Sequence, residues 1–248
     1  MNAIALDIHN LKKTYAGAST PAVNQLSLNV KAGAIHGLLG PNGAGKTSTI
    51  SIVAGIAKFE GGSVQIFDYP LKTDIQSIRK LIGYVPQDIA IYPQLTAVEN
   101  LIFFGRLHDL PIKILKNNID DLLQALGLFE KRHEKTKHFS GGMKRRINLI
   151  AGLLHQPKLL ILDEPTVGID VQSKQAILSF LQEINRQGTT ILYTSHMMDE
   201  AEKLCHFVSI IDQGKVIEEG TPDQLKQKFN QANLEDVFIH LTGKTLRD

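Results

Sequence analysis

The sequence is poor in the residues that build disulfide frameworks and membrane spans. It has 248 residues, one cysteine and no tryptophan. A single cysteine excludes an internal disulfide framework and a cysteine-rich metal site, so Cys205 is expected to be a small packing residue. The longest apolar stretch covers residues 147–154, far fewer than the ~20 residues needed to cross a bilayer. The chain is therefore expected to be soluble and not to span a membrane by itself.

Net charge, leader signals and compositional bias are also slight. The 27 Lys plus Arg and 25 Asp plus Glu leave a formal charge of +2, which predicts neither nucleic acid nor an anionic membrane as an electrostatic partner. Residues 1–13 alternate apolar and polar side chains and lack the basic-then-apolar layout of a signal peptide. No internal repeat divides the chain, and its 43% apolar content is sufficient for one full core.

The clearest motif is GPNGAGKT at residues 40–47, which fits the phosphate-binding pattern G-x-x-x-x-G-K-[ST]. Residues 34–39 before it have the pattern of a short buried strand, and apolar residues from Ile50 to Ala57 recur at helical spacing after it. A helix that begins at the loop directs its free N–H groups and its dipole at a polyphosphate. An ordinary glycine-rich turn is the alternative, but the order of strand, loop and helix favours the phosphate site.

The pattern assigns roles within this loop. Lys46 is expected to reach the β- and γ-phosphates of a nucleotide, and Thr47 is expected to hold Mg²⁺. A nucleoside polyphosphate and Mg²⁺ are therefore the predicted ligands of this loop. The residues expected to contact the nucleotide here are Asn42, Gly43, Ala44, Gly45, Lys46, Thr47 and Ser48.

A second motif, KLLILDEPT at residues 158–166, is a run of Leu and Ile that ends in two carboxylates. Such a run is typical of a central parallel strand. Because successive side chains of a strand alternate between faces, Asp163 and Glu164 cannot do the same job, and one can bind Mg²⁺ while the other addresses a water. Solvated carboxylates at a strand end are the alternative interpretation.

Strand and helix patterns alternate on both sides of a helical stretch. Strand patterns fall at residues 4–9, 24–30, 34–39, 63–67, 82–86, 158–163, 189–194, 207–212 and 215–219. Residues 90–157 instead hold three helical patterns: one begins at a Thr96–Glu99 capping box, one ends at Gly127, and one begins at Ser140. The alternation predicts an α/β fold with a mostly parallel sheet and ligand at the carboxyl ends of its strands.

Taken in order, these motifs resemble those of the nucleotide-binding domain of an ABC transporter, over about residues 4–230. In this comparison FSGGMKRR at 139–146 corresponds to the signature motif, Gln87 to the Q-loop glutamine, VGID at 167–170 to the D-loop, and His196 to the switch histidine. The resemblance implies a P-loop NTPase core, an N-terminal antiparallel β subdomain and a helical insertion subdomain.

We divide the chain accordingly as one ABC ATPase domain over residues 1–248. The catalytic core is expected at about 1–89 and 158–230, and the helical signature subdomain at about 90–157. A C-terminal helical extension is expected at about 231–248, where LEDVFIHLTG has the pattern of a short amphipathic helix that packs on the domain.

The resemblance also implies ATP as the nucleotide, with Mg²⁺, and it implies the roles of the site residues. Glu164 is the general base that polarises the attacking water, and Asp163 holds Mg²⁺ together with Thr47 and Gln87. His196 contacts the γ-phosphate. Tyr15 stacks on adenine, and Asp170 belongs to the nucleotide-binding set. The residues expected to be catalytic are thus Glu164, His196, Gln87 and Lys46.

Ser140, Gly141 and Gly142 at the start of a helix form a further anion site without a lysine, although a simple helix cap is the alternative. In the family, two subunits meet head to tail, so that the signature of one covers the γ-phosphate held by the P-loop of the other. Met143 stands where glutamine is frequent and cannot hydrogen-bond in the same way, so a modest change in dimer affinity is expected. Phe139 stands where leucine is frequent.

SGGM followed by basic residues, together with the LEDVFIHLTG ending, resembles the drug-resistance exporter branch. The implied partners are integral membrane permease subunits and a second ATPase subunit, identical or related. These partners imply that the chain lies peripherally at the cytoplasmic face of the cell membrane and that it contacts the membrane only through them. Permease docking is expected near Gln87, where Ile89, Ile91 and Tyr92 are predicted to be exposed.

Two other functions are compatible with a phosphate-binding loop. A non-transport ABC ATPase that acts on ribosomes or DNA is the principal alternative, but it should be a tandem chain or carry a long coiled-coil insertion, and neither is present. A P-loop kinase or GTPase should show a phosphate-acceptor pocket or an N-K-x-D guanine motif and no signature. The chain lacks that guanine motif.

Overall fold

The computed structural model describes residues 3–243. The strands are β1 (Ile4–Lys13), β2 (Val23–Lys31), β3 (Ile35–Leu39), β4 (Gly61–Ile66), β5 (Tyr69–Pro70), β6 (Ile82–Val85), β7 (Leu159–Asp163), β8 (Thr190–Ser195), β9 (Phe207–Asp212) and β10 (Lys215–Gly220). The α-helices are α1 (Lys46–Val53), α2 (Ile75–Leu81), α3 (Ala97–Arg106), α4 (Ile112–Ala125), α5 (Gly141–Ala151), α6 (Val171–Arg186), α7 (Met198–Leu204), α8 (Pro222–Phe229) and α9 (Leu234–Thr242).

The strands form two sheets, and the α/β fold class is confirmed. A six-stranded sheet has the order β10-β9-β3-β8-β7-β6, with β10 antiparallel to β9 and the other neighbours parallel. Its central strands β3, β7 and β8 are buried at every residue, as expected for a sheet covered on both faces. A four-stranded antiparallel sheet has the order β2-β1-β4-β5.

Each predicted strand overlaps an observed one, and β5 is an addition that no pattern predicted. The capping box at Thr96 is confirmed, because the Thr96 amide donates to Glu99 Oε2 at 2.8 Å and the Glu99 amide donates to Thr96 Oγ1 at 3.2 Å. Helix α4 is followed by Gly127 at φ +65°, and Ser140 caps α5. Among residues 3–243, no helix is long and apolar enough to cross a membrane.

The apolar interior has two parts. One lies between the antiparallel sheet and one face of the parallel sheet, and it includes Ile50 and Val53 of α1. The other joins α3, α4 and α5 to the opposite face of the parallel sheet and to α6, and it also receives Val237 and Phe238 of α9. The predicted C-terminal helix therefore packs on the domain, although residues 244–248 of the predicted extension lie outside the described residues.

Two smaller expectations have different outcomes. Cys205 is buried, as expected of a packing residue, and burial raises the pKa of its thiol well above the usual range. Ile89 and Tyr92 are exposed. Ile91 was predicted to be exposed, but this prediction is wrong because its side chain is partly buried against the helical part of the core.

Candidate active site

The loop at residues 40–47 connects β3 to α1 and curls around the N-terminus of that helix. Gly45 is the N-cap residue with φ +105°, and a Cβ atom there would lie 2.4 Å from the carbonyl oxygen of Ala22. Both the left-handed backbone and the close approach require glycine. The exposed loop residues Asn42 and Gly43 and the helix N–H groups therefore form a concave surface suited to an anion.

The side chain of Lys46 folds back against this loop and hydrogen-bonds to its backbone. Its side chain is 4% exposed, and Nζ donates to the carbonyl oxygens of Gly40 at 2.8 Å and Pro41 at 3.1 Å. Nζ also lies 3.2 Å from Glu164 Oε1. The loop thus places a buried cation next to a buried carboxylate at the carboxyl edge of the parallel sheet.

The carboxylates of Asp163, at the end of β7, and of Glu164, just beyond it, have different surroundings. Asp163 Oδ1 accepts from Thr194 Oγ1 at 2.9 Å and from Thr47 Oγ1 at 3.4 Å. Burial raises the pKa of Asp163, while the hydrogen bond from Thr194 opposes the shift. Asp163 therefore contacts the Thr47 hydroxyl, whereas Glu164 contacts the Lys46 ammonium.

Glu164 is 5% exposed and has the three predicted catalytic partners around it. In addition to Lys46, Gln87 Nε2 donates to Oε2 at 3.4 Å, and His196 Nδ1 lies 3.1 Å from Oε2. The His196 contact is a close approach without hydrogen-bond alignment, since Nδ1 has no hydrogen-bond partner among residues 3–243. The structure therefore brings Lys46, Gln87, Glu164 and His196 together.

The backbone at Glu164 adopts φ +46°, a left-handed conformation that costs a non-glycine residue about 1 kcal/mol. Its amide donates to Thr194 O at 3.2 Å and to Thr194 Oγ1 at 3.1 Å. Thr194 thus binds the backbone of one carboxylate residue and the side chain of the other. The strained position of Glu164 is fixed by its neighbour strand β8.

A cleft of about 490 Å³ opens over Lys46, Gln87 and Glu164. Its lining residues are Ala22, Asn42, Gly43, Gly45, Lys46, Thr47, Ser48, Gln87 and Glu164. Ala44 is buried beneath the loop. Tyr15 is 45% exposed outside this lining, with Lys13 Nζ 5.1 Å from its ring centroid. The cleft is large enough for a polyphosphate and presents amides, a lysine and a carboxylate to it.

The signature residues do not line this cleft. Ser140 is exposed, and its Oγ accepts from the Met143 amide at 3.2 Å at the start of α5. Asp170 caps α6 by accepting from the Ser173 amide at 2.8 Å; that bond lowers the pKa of Asp170. A Cβ atom at Gly142 would lie 2.0 Å from Ser173 Oγ, so the starts of α5 and α6 are in direct contact.

Comparison with known proteins identifies the family. Residues 23–167, more than half of the chain, match the family model described as ABC transporter. The chain belongs to the ABC transporter family. It is similar to the linearmycin resistance ATP-binding protein LnrL of Bacillus subtilis (strain 168), with 44% identity over 237 residues that cover 96% of this chain and 74% of LnrL.

A second relative and a solved structure agree with this assignment. The daunorubicin/doxorubicin resistance ATP-binding protein DrrA of Streptomyces peucetius is 37% identical over 236 residues, which cover 95% of this chain and 71% of DrrA. A solved ATP-binding subunit of an ABC transporter superimposes with a TM-score of 0.86 at 28% identity, covering 96% of this chain and 99% of that one. This ABC protein is thus an ATP-hydrolysing transporter subunit.

The donor set of this ABC ATPase fits Mg²⁺. Thr47 Oγ1 and Asp163 Oδ1 are hard oxygen donors 3.4 Å apart at the start of α1. The described residues contain no cluster of three or more His, Cys, Asp or Glu side chains that could form a dedicated metal cage. Mg²⁺ is usually bound by one or two protein oxygens together with the phosphates of a nucleotide. A small number of protein oxygens beside a phosphate site therefore suits this ion.

Two residues of the ABC ATPase site were missed by the sequence interpretation. Thr194 contacts both carboxylate residues, but a threonine inside a buried strand carries no motif, and only the register of β8 against β7 places it there. Ala22 lines the cleft just before β2. It immediately precedes a strand of the antiparallel sheet, and nothing in its local sequence marks it as a site residue.

The two signature glycines of this ABC ATPase should differ in their effect on stability. Gly142→Ala forces Ser173 and Asp170 away from α5, and we expect it to lower the free energy of unfolding by about 2 kcal/mol. At Gly141 the nearest atom to an added Cβ is Gly168 O at 3.9 Å, so Gly141→Ala should be neutral or stabilising by up to about 1 kcal/mol. Urea unfolding of both variants measures this, and equal losses would contradict the packing described.

Proposed function

We propose that this ABC ATPase is the energy-coupling subunit of an exporter. Two ATPase subunits, identical or related, bind ATP between them and drive separate permease subunits at the cytoplasmic face of the membrane. The observation that carries the proposal is the convergence of Lys46, Gln87 and His196 on the Glu164 carboxylate, while the signature helix start does not line the cleft beside it. The names of the relatives, which are resistance proteins, support export.

In this mechanism the loop amides and Lys46 bind the phosphates. Lys46 already lies 3.2 Å from Glu164, so a γ-phosphate bound by the lysine sits beside the carboxylate. Glu164 then accepts a proton from the attacking water, and His196 donates to the γ-phosphate. Thr47, Asp163 and Gln87 would hold Mg²⁺, which when bound neutralises phosphate charge.

The exposed signature supports a shared site. The N-terminus of the 11-residue helix α5 has free N–H groups and an exposed Ser140, and these features favour an anion. Gly141 and Gly142 leave little side chain in the way. Since this surface does not line the cleft of its own chain, the phosphate that it covers belongs to a second subunit. The head-to-tail pairing gives two equivalent sites and a closed two-fold dimer.

A separate surface supports permease docking, and Pro86, the residue before Gln87, lines it. A groove of about 320 Å³ runs between the end of α1 with β6 and the ends of α3 and α5. Ile56 at 65% exposure and Leu107 at 67% exposure stand on its two walls. Beside it, the rings of Tyr92 and Phe103 pack edge to face with their centroids 5.0 Å apart, and both side chains are exposed. Such an exposed apolar surface is typical of a protein interface.

Lysine substitutions test this docking. Leu107→Lys and Ile56→Lys place a charge inside the groove, so we expect each to reduce co-purification of the chain with its membrane permease at least tenfold, because a buried unpaired charge is costly. ATP hydrolysis by the separated chain should stay within about twofold of wild type. The matched control is Ile217→Lys, 39% exposed on β10 at the opposite edge of the parallel sheet. Undiminished co-purification of both groove variants would move the docking surface elsewhere.

A further inference from the structure

Helix α5 carries a second functional candidate within the signature motif, about one helical turn after Gly141. Arg145 is 5% exposed, and its Nη1 donates to the carbonyl oxygens of Pro86 at 3.2 Å and Gln87 at 2.6 Å. Both acceptors belong to the segment that leaves β6 and carries the Gln87 side chain to Glu164. A side chain of the signature helix therefore holds the backbone of the Q-loop glutamine.

Asn148, three residues after Arg145 on the same face of α5, hydrogen-bonds to the same segment. Its Nδ2 donates to Pro86 O at 3.3 Å, and its Oδ1 accepts from the Ala90 amide at 3.3 Å. Residues 86–90, which we name the Q-loop segment, are thus held at both ends by one helix. The segment itself has no regular secondary structure, so these side chains are well placed to fix its position.

The buried side chain of Arg145 is not one that folding stability alone would favour. Within residues 3–243 no carboxylate lies at ion-pair distance from it, and its buried Nε has no hydrogen-bond partner. Burial lowers the pKa of the guanidinium, although the more distant charges of Asp88 and Asp163 oppose this shift. A buried charge with an unused donor usually costs stability relative to an apolar side chain of similar volume. Its presence therefore indicates a role other than packing.

We propose that Arg145 is a positioning residue for Gln87: it holds the Gln87 carbonyl so that the side-chain amide points at Glu164 and the nucleotide phosphates. This inference rests on the catalytic role proposed for Gln87. Because Ser140 begins the same helix, a shift of α5 towards the nucleotide of a second subunit also moves the Gln87 backbone. The two halves of the shared site are then adjusted together by one rigid element.

Substitutions of Arg145 in the full chain separate positioning from packing. Arg145→Met keeps the volume but removes every donor, and we expect kcat for ATP to fall about tenfold, as expected for a misplaced catalytic group. The melting temperature should stay level or rise, since a buried charge is lost. Arg145→Gln retains one amide donor and should recover at least half of the lost kcat. A fall in melting temperature that parallels the loss of kcat in both variants would overturn the proposal.

A double-mutant cycle with Gln87→Ala gives the decisive test. If Arg145 acts through Gln87, Arg145→Met lowers kcat less than about twofold once Gln87 is alanine. The matched control is Arg146→Met, because Arg146 donates instead to Leu126 O at 2.9 Å and Gly142 O at 3.3 Å. Its effect should be the same in both backgrounds.

The outcomes are distinguishable from failure of the proposed function. If Gln87→Ala by itself leaves kcat unchanged, the role proposed for Gln87 is wrong and the inference falls with it. If Gln87→Ala lowers kcat but Arg145→Met lowers it further by the full tenfold, only the positioning role of Arg145 is overturned. If Arg145→Met is poorly folded, Asn148→Ala replaces it in the same cycle, with the same expected dependence on Gln87 and the same contrary result.

Discussion

Glu164→Gln is expected to lower the kcat of ATP hydrolysis by roughly a thousandfold, because an amide cannot accept the proton of the attacking water. The change keeps the size of the side chain and removes the negative charge that faces Lys46 at 3.2 Å. ATP binding should therefore persist. Since bound ATP is no longer cleaved, the dimer that it holds together should accumulate.

Two measurements check this expectation. Steady-state phosphate release gives kcat, and size-exclusion chromatography with and without ATP gives the dimer fraction. Glu183→Gln makes the same chemical change on the exposed face of α6 and should leave both quantities unchanged. Normal turnover in Glu164→Gln would remove Glu164 from its role as general base, and weak ATP binding would show that its charge mainly serves the phosphate site.

Lys46→Met has a comparably large expected effect, but on binding. Loss of the charged donor beside the β- and γ-phosphates should weaken ATP binding about a hundredfold. It also leaves Glu164 buried without its cation, which we expect to lower the free energy of unfolding of the nucleotide-free chain by about 3 kcal/mol. Isothermal titration with ATP and urea unfolding measure the two effects separately.

The double variant Lys46→Met, Glu164→Gln distinguishes the two roles of the lysine. With both charges removed, unfolding stability should return towards that of the wild type, because neither partner is left as an isolated buried charge. ATP binding should remain weak. If the double variant binds ATP normally, the affinity lost in Lys46→Met came from the stranded carboxylate and not from a missing phosphate contact.

Local chemistry explains why much of the fold was predictable. The Thr96 capping box, the stop at Gly127 and the cap at Ser140 depend on residues within one or two helical turns. The buried strands β3 and β7 are visible as apolar runs next to glycine or carboxylate motifs. The family resemblance then ordered these elements into an ABC ATPase, and the comparisons confirm that assignment.

What escaped prediction depends on contacts between distant parts of the chain. Arg145 and Pro86 are 59 positions apart, and Thr194 and Asp163 are 31 apart. No local pattern reports such pairs. β5 has two residues, too few to show alternation, and Ile91 is partly covered by the helical core although its segment has no regular secondary structure. The adenine contact assigned to Tyr15 stays a prediction, since its ring lies outside the lining of the cleft.

Strand β8 lies between β3, which leads into the phosphate loop, and β7, which leads into the two acidic residues, and it sets their relative position. Pairing of Thr194 with Asp163 sets the reach of the hydroxyl that restrains both acids. A one-residue slip of β8 would turn that hydroxyl to the opposite face of the sheet. Such a molecule would keep the loop of residues 40–47 and still capture nucleotide, yet its acid would no longer be clamped for cleavage. The register of the central strand β8 thus decides whether the chain can cleave the nucleotide or can only bind it.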